Sequence, residues 1–463
     1  MYDAPAQATE AELRALEAAY CSWGDTVHYL EHPKFFDTCE GSYMYDAEGR
    51  AFLDLQMWYS AVNFGYRNPR LNAVAHRQLD TLPQVASQYL HREKVELAAT
   101  IARDMEAKFG SKGRVHFNVG GAQAVEDSLK IVRNASGGKS LMFAFEGGYH
   151  GRTLGASAIT SSYRYRRRYG HFGDRAQFIE FPYHFRGPRG MSKEEYGEAC
   201  VAKFARLFET EYNGVLDTKT GQAEFAAFYV EPIQGTGGYV IPPPNFFTGI
   251  KKVLDQHGIL MVVDEIQMGM YRTGKLWSIE HFGVTPDVLV FGKALTNGLN
   301  PLSGLWAREE LINPTVFPPG STHSTFNANP MGTAVALETL RMCAELDYGR
   351  TVAEKGAYFL DGLKALQMRW PQIGDVDGLG LALRCEICEA DGYTPNKKLL
   401  DRMEEEAMRG DLEAGGRRMG LILDVGGYHK NVITLAPSLE ITFEEIDLAL
   451  ELLDNLLRRC TAA

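Results

Sequence analysis

The sequence predicts an α/β protein: a mostly parallel sheet with helices on both faces, joined to a smaller α+β domain. Three observations predict it. From about residue 71 to 325, helical and strand-like segments alternate, the pattern of crossover units that build a parallel sheet. Two apolar, β-prone runs, Ile259 to Glu265 and Pro286 to Leu295, carry charged residues at their ends. The 463 residues, 45% hydrophobic, suffice for one large domain with a smaller one attached. The expected division is an N-terminal segment, 1–70, that joins the small domain, a large domain over 71–325, and a C-terminal small domain over 326–463.

The bulk composition narrows the function. A formal net charge of −11 argues against a dominant nucleic-acid footprint. No apolar run approaches the ~20 residues of a membrane helix, and the acidic, alanine-rich N-terminus lacks the basic and apolar regions of a signal peptide. Seven scattered cysteines, an odd number, fit reduced thiols, so a cytoplasmic protein without nucleic-acid or membrane partners is expected. Cys385 and Cys388 form a lone C-x-x-C in a strand-like run, where alternation puts the sulfurs on opposite faces; no metal site or redox pair is expected there.

The elements follow in order. Thr9 and Glu12 form a capping box opening a first helix. Ser42 to Arg50 suggests a hairpin turning at its Asp and Gly. Strand-like Arg114 to Phe117 leads through Val119-Gly120-Gly121-Ala122 into a helix from Gln123. A glycine-rich turn at a helix start offers free N–H groups and a positive dipole end to a phosphate; it is equally an ordinary tight turn. Tyr149, among glycines in Phe145 to Arg152, suits stacking on a flat ring or plain core packing. The basic run Arg164-Tyr165-Arg166-Arg167-Arg168 reads as a solvated loop or an active-site rim. Gly269 to Lys275 has Walker A spacing, but Leu276 stands where Mg²⁺ needs Ser or Thr. An amphipathic helix is expected from Phe443 to Arg458.

Ligands of α/β proteins bind beyond the carboxyl ends of the strands. Two strands deliver Asp264 and Lys293 there, which suits pyridoxal phosphate (PLP): the lysine forms the Schiff base and the aspartate keeps the pyridine nitrogen protonated. Taken together, Val230 to Gly235, Val263 to Gly269, Arg272 to Lys275, Phe291-Gly292-Lys293 and Ser324 to Pro330 resemble the class III, ornithine-type PLP-dependent aminotransferases, with likeness to diaminobutyrate and amine:pyruvate members. The similarity spans nearly the whole chain in the right order. It implies fold type I, with a mostly parallel seven-stranded sheet, and a homodimer with shared active sites. It implies Lys293 as Schiff-base lysine and proton shuttle, Asp264 at the pyridine nitrogen, Gln267 at the ring hydroxyl, and Tyr149 stacked on the ring. Gly120, Gly121 and Ala122 would cradle the phosphate, Thr325 would reach the neighbouring subunit's phosphate, and His150 and Glu231 would be cofactor neighbours.

Two departures bear on the substrate. Many family members have glutamate where Thr236 stands and a carboxylate-clamping arginine where Thr434 stands. Asp424, followed by the Gly426-Gly427 pair, would attract a second ammonium group on the substrate, or it faces solvent beside His429 and Lys430. Trp58, Tyr59 and Tyr66 would wall a roomy pocket or pack in the core. The expected function is ping-pong transfer of an amino group from a diamine, polyamine, basic amino acid or amino sugar to a keto acid or aldehyde. A same-fold aminomutase or epimerase is the rival; a non-catalytic PLP-binding protein and a nucleotide-binding protein are rivals of other classes.

Overall fold

The computed structural model describes residues 8–24, 33–166, 169 and 176–462. Its centre is a seven-stranded sheet built from β1 (Gly113–Asn118), β2 (Leu141–Phe145), β3 (Ala176–Ile179), β4 (Phe225–Val230), β5 (Leu260–Asp264), β6 (Val288–Phe291) and β7 (Ser303–Arg308), in the order β1-β7-β6-β5-β4-β2-β3. Every strand runs the same way except β7, which pairs antiparallel with both β6 and β1. The strands are continuous apolar runs because both faces are covered. Alternate residues divide between two cores: Phe143, Phe228, Val263 and Phe291 face the helix Phe246–Gln256, whereas Ala144, Tyr229, Val262 and Val290 face the helix Gly121–Ala135.

Two smaller sheets flank this one. Strand Ala51–Asp54 pairs antiparallel with Tyr43–Tyr45, closing the expected hairpin, with Gly49 left-handed at φ 76° in the turn. The same strand pairs parallel with Arg417–Ile422, with Phe52 opposite Gly420, so the chain's two ends share one sheet. A four-stranded sheet holds Ile373–Leu379, Ala382–Ile387, Val432–Leu435 and Asp424–Gly426. The capping box at Thr9 forms, and the amphipathic C-terminal helix runs over Phe443–Thr461. Cys385 and Cys388 are buried, and burial pushes their thiols up to about 12 and about 11. No helix among the described residues is long and apolar enough to cross a membrane.

The Walker-like segment folds as a tight turn, with Met270 N–H bonded to the Leu276 carbonyl, and leads into the short 3-10 turn Ser278–Phe282 rather than a helix. Its Arg272 is fully buried. The guanidinium donates to Ser60 Oγ (3.0 Å), Asn63 Oδ1 (2.6 Å) and the carbonyls of Leu381 (3.2 Å) and Pro437 (2.6 Å), all neutral oxygens. Burial pulls it down to about 10. Three parts of the chain distant in sequence are thereby tied to one side chain. Arg272→Met leaves two buried carbonyls without a donor, at about 1–3 kcal/mol each. The urea midpoint should fall by an amount equivalent to about 2–6 kcal/mol; an unchanged midpoint would show that the guanidinium is not the tie.

Candidate active site

Three ionisable residues end up side by side because three adjacent parallel strands end level with one another. The register pairs Val263 with Val230 and Asp264 with Val290. Glu231 therefore follows β4, Asp264 ends β5, and Lys293 lies two residues past β6. Lys293 sits at φ 43°, strained for a residue with a side chain, at the start of the 3-10 turn Lys293–Thr296. Burial pulls its amine down to about 8, against the opposing charges of Asp264, Glu231 and Asp424.

Hydrogen bonds fix this cluster. His150 Nδ1 donates to Asp264 Oδ2 at 2.9 Å, since a carboxylate offers only acceptors, and the Ile266 N–H donates to Oδ1 at 3.1 Å. Burial alone would lower the His150 imidazole; the Asp264 bond and charge outweigh it and raise it. Glu231 accepts from the N–H groups of Tyr149 (2.8 Å) and Gly235 (2.9 Å). Burial lifts its carboxyl to about 7, with His150 opposing and Asp264 adding to the rise. Gln267 Nε2 donates to the buried Tyr239 hydroxyl at 3.0 Å. The Arg152 guanidinium lies 5.9 Å from the Tyr149 ring centre and 4.6 Å from that of Tyr165.

These groups line a cavity of about 380 Å³. Of the residues singled out in the sequence, Lys293, Asp264, Tyr149, His150, Glu231, Gln267, Gly121, Ala122, Trp58 and Tyr59 all border it. The helix Gly121–Ala135 starts there with no side-chain cap on its N-cap, Gly120, which leaves first-turn N–H groups for a ligand. A Cβ on Gly121 would lie 2.9 Å from Ile266 Cδ1, so a side chain there would push the isoleucine tip aside. Ile266, Thr296 and Ser303 also line the cavity and were not singled out; Ile266 was legible as the residue between Asp264 and Gln267. The Ser303 hydroxyl is buried without a hydrogen-bond partner.

Other expected residues lie outside the lining. Gly120 is exposed at the rim. Thr236 turns away and donates to the Gly147 carbonyl at 2.9 Å. Thr325 is exposed, next to Phe326 at 68% exposure. Tyr66 is tied to Asp54 Oδ2 at 2.7 Å. Asp424 does not simply face solvent: half-buried, it accepts from Thr434 Oγ1 at 2.6 Å, its register partner on the next strand, and from Gln56 Nε2 at 3.5 Å. Burial raises its carboxyl; Thr434, Gln56 and the Lys293 charge oppose the rise. In the basic run, Arg166 donates to the Ser161 carbonyl at 2.6 Å, while Arg167 and Arg168 lie outside the described residues.

PLP answers each demand of this cavity. Its phosphate suits the uncapped helix start and the unpaired Ser303 hydroxyl, its ring nitrogen the buried Asp264, and its aldehyde an amine that loses its proton readily. The fold and cavity thus define a PLP-dependent enzyme of fold type I. More narrowly, the chain belongs to the class III aminotransferases: residues 27–457 match that family. It is 33% identical to an alanine/serine racemase of Pyrococcus horikoshii, over 90% of this chain and 84% of the relative. It is 32% identical to an ornithine aminotransferase 2 of Staphylococcus aureus, over 92% and 94%. An (S)-enantioselective omega-transaminase of Thermomicrobium roseum superposes with a TM-score of 0.86 at 28% identity, covering 98% of this chain and 100% of that one.

Lys293 offers a direct test. Borohydride reduction of the holoenzyme should fix a pyridoxyl group on Lys293, and mass spectrometry finding it on another lysine would overturn the assignment. In the cofactor-free protein, only the neutral amine reacts with an acylating reagent. Labelling of Lys293 should therefore rise through about pH 8 rather than the ordinary 10.5.

Proposed function

We propose that this aminotransferase moves an amino group, by a ping-pong mechanism, from a donor carrying a second ammonium group to a keto acid or aldehyde. Diamines, polyamines, basic amino acids and amino sugars are the donor classes. The proposal includes a cytoplasmic homodimer with shared active sites, and a large domain over 71–325 with a small domain formed by 1–70 and 326–463.

PLP supplies the aldehyde that takes up the amino group and the ring that accepts the electron pair of the broken C–H bond. Asp264, oriented by His150, holds a proton on the ring nitrogen. Lys293 would anchor the cofactor through its Nζ, and the freed Nζ would be the base that moves a proton from the substrate carbon to the cofactor's aldehyde carbon. Tyr149 would stack on the ring and Gln267 would reach the ring hydroxyl, while Glu231 holds the Tyr149 and Gly235 amides that shape the wall. The amides at Gly120, Gly121 and Ala122 take the phosphate together with the partner's Thr325. Trp58 and Tyr59 form the substrate-side wall and exclude water there.

The substrate reading is carried by one observation: where many relatives hold a carboxylate-clamping arginine, Thr434 donates to Asp424. The arginine opposite Thr434 in the register, Arg384, is committed to Glu386 and Tyr183. A negative group within charge range of Lys293 thus lies just outside the cavity lining, and Thr236 offers no acid in its place. A charge-assisted hydrogen bond contributes roughly 1.5–3 kcal/mol, or about 10–150-fold. Asp424→Asn should lower kcat/KM for a diamine or amino sugar by that factor and leave a monoamine nearly unchanged. Equal losses for both donors would make Asp424 structural, and 4-aminobutyrate as the best donor of a broad panel would defeat the substrate reading.

A second reading, an epimerase that returns the amino group to the same molecule, draws support from the identity to the alanine/serine racemase. Incubating single enantiomers of alanine and of basic amino acids without any keto acid separates the two. Transamination predicts one half-reaction and then arrest, with optical purity retained; continued inversion would select the epimerase.

A further inference from the structure

Outside the cavity, one buried carboxylate gathers hydrogen bonds that no step above uses. Asp127 lies in the helix Gly121–Ala135, whose first turn borders the cofactor cavity. Its Oδ2 accepts from His116 Nε2 (3.0 Å) and Asn118 Nδ2 (2.5 Å), both on β1. Its Oδ1 accepts from Lys130 Nζ (2.7 Å) and Thr322 Oγ1 (2.6 Å). Burial alone would raise this carboxyl; the four donors outweigh it and hold it well below the usual carboxylate range, so the charge persists at any working pH.

Thr322 is the telling donor, because it belongs to the loop that carries Thr325. Asn134 of the same helix holds that loop upstream by donating to the Val316 carbonyl, and the Phe317 ring packs edge-on to His116 of β1 at 5.5 Å. Downstream, His91 Nε2 donates to the Ala328 carbonyl at 2.9 Å. Between the grips at Thr322 and Ala328, His323, Thr325 and Phe326 project into solvent. Releasing Thr322 would lengthen the free span back to Phe317 and add chain entropy that binding must then remove.

We propose that Asp127 is a positioning residue which, through Thr322, ties each subunit's own cofactor cradle to the loop it offers to its partner's phosphate. The proposal rests on the reading that the partner's Thr325 completes the phosphate site. A structural consequence is that the two cofactor sites of a dimer share their supports: the helix that receives one phosphate also holds the loop that reaches the other.

The test uses the dimeric holoenzyme and follows PLP release on dilution, by loss of the visible band, with size-exclusion chromatography to confirm that the dimer persists. Thr322→Val deletes the hydroxyl and keeps the shape; Thr322→Ser restores the hydroxyl; Thr325→Ala removes the phosphate contact itself. Thr322→Val should speed release at least about 10-fold, the size of one of the two hydrogen bonds its hydroxyl makes, to Asp127 and from Lys130. Thr325→Ala should do the same, and Thr322→Ser should release near the wild-type rate. Thr322→Val releasing at the wild-type rate while Thr325→Ala releases fast would overturn the tie and leave the shared-site reading standing. If Thr325→Ala releases at the wild-type rate, the shared-site reading itself fails, and the tie with it.

Discussion

Everything in the catalytic region depends on one constraint: Glu231, Asp264 and Lys293 are buried together because the strands that carry them end at one level. A lysine taken out of water on its own gives up its proton, and a lone buried carboxylate takes one up. Set side by side, the amine and the carboxyls partly compensate each other, and Lys293 and Glu231 depart from their ordinary states. Lys293 is pulled to about 8 and Glu231 lifted to about 7. A protonated ring nitrogen beside Asp264 and a carbonyl beside Lys293 would complete the balance. The register of β4, β5 and β6 sets the spacing, and the two hydrophobic cores on either face keep the sheet from relaxing.

The N-terminal segment supplies the other wall, and it does so under strain. Met57, Trp58, Tyr59 and Ser60 all have positive φ, from 44° to 63°. Left-handed backbone costs roughly 1–2 kcal/mol per residue with a side chain, so four in succession need support from both ends. Asp54 Oδ1 takes the N–H groups of Gln56 and Met57, both at 2.8 Å, before the turn. Arg272 donates to the Ser60 hydroxyl after it. The turn swings Trp58 and Tyr59 onto the cavity, where the Trp58 ring lies 3.1 Å from the place a Cβ on Gly298 would take. Left-handed Gly298, at φ 72°, leaves room for the indole.

Much of this was legible in the sequence for a physical reason. Lys293 and Asp264 end apolar runs, and Gly120 to Ala122 join a strand to a helix; these are local patterns, written within a few residues. Arg272 was legible only as part of a family motif, since its four acceptors come from Ser60, Asn63, Leu381 and Pro437, which no local pattern brings together. The same holds for Asp127, which meets Thr322 across nearly two hundred residues, and for Ser303, whose orphaned hydroxyl is defined by what surrounds it. The sequence left Asp424 divided between pocket and solvent. Its state depends on the pairing of Asp424 with Thr434 across two strands, a register no single segment encodes.

That pairing also explains how an acid is tolerated on this wall. Asp424 lies within charge range of Asp54 and Glu404; burial raises all three carboxyls, and the Asp424 charge adds to the rise of Asp54 and of Glu404, the latter to about 7. Three neighbouring carboxyl groups favour a cation arriving beside them. Lys430, held at φ 54° and with its amine lowered chiefly by burial, supplies some of that charge from the rim. On the proposed reading, a substrate's remote ammonium supplies the rest and is favoured twice, by its hydrogen bond to Asp424 and by relief of repulsion among the acids. A carboxylate arriving in the same place would meet the opposite field. On that reading, Thr434 with Asp424 opposite it sets the sign of the charge favoured beside this strand pair, apart from the cofactor chemistry proposed at Lys293.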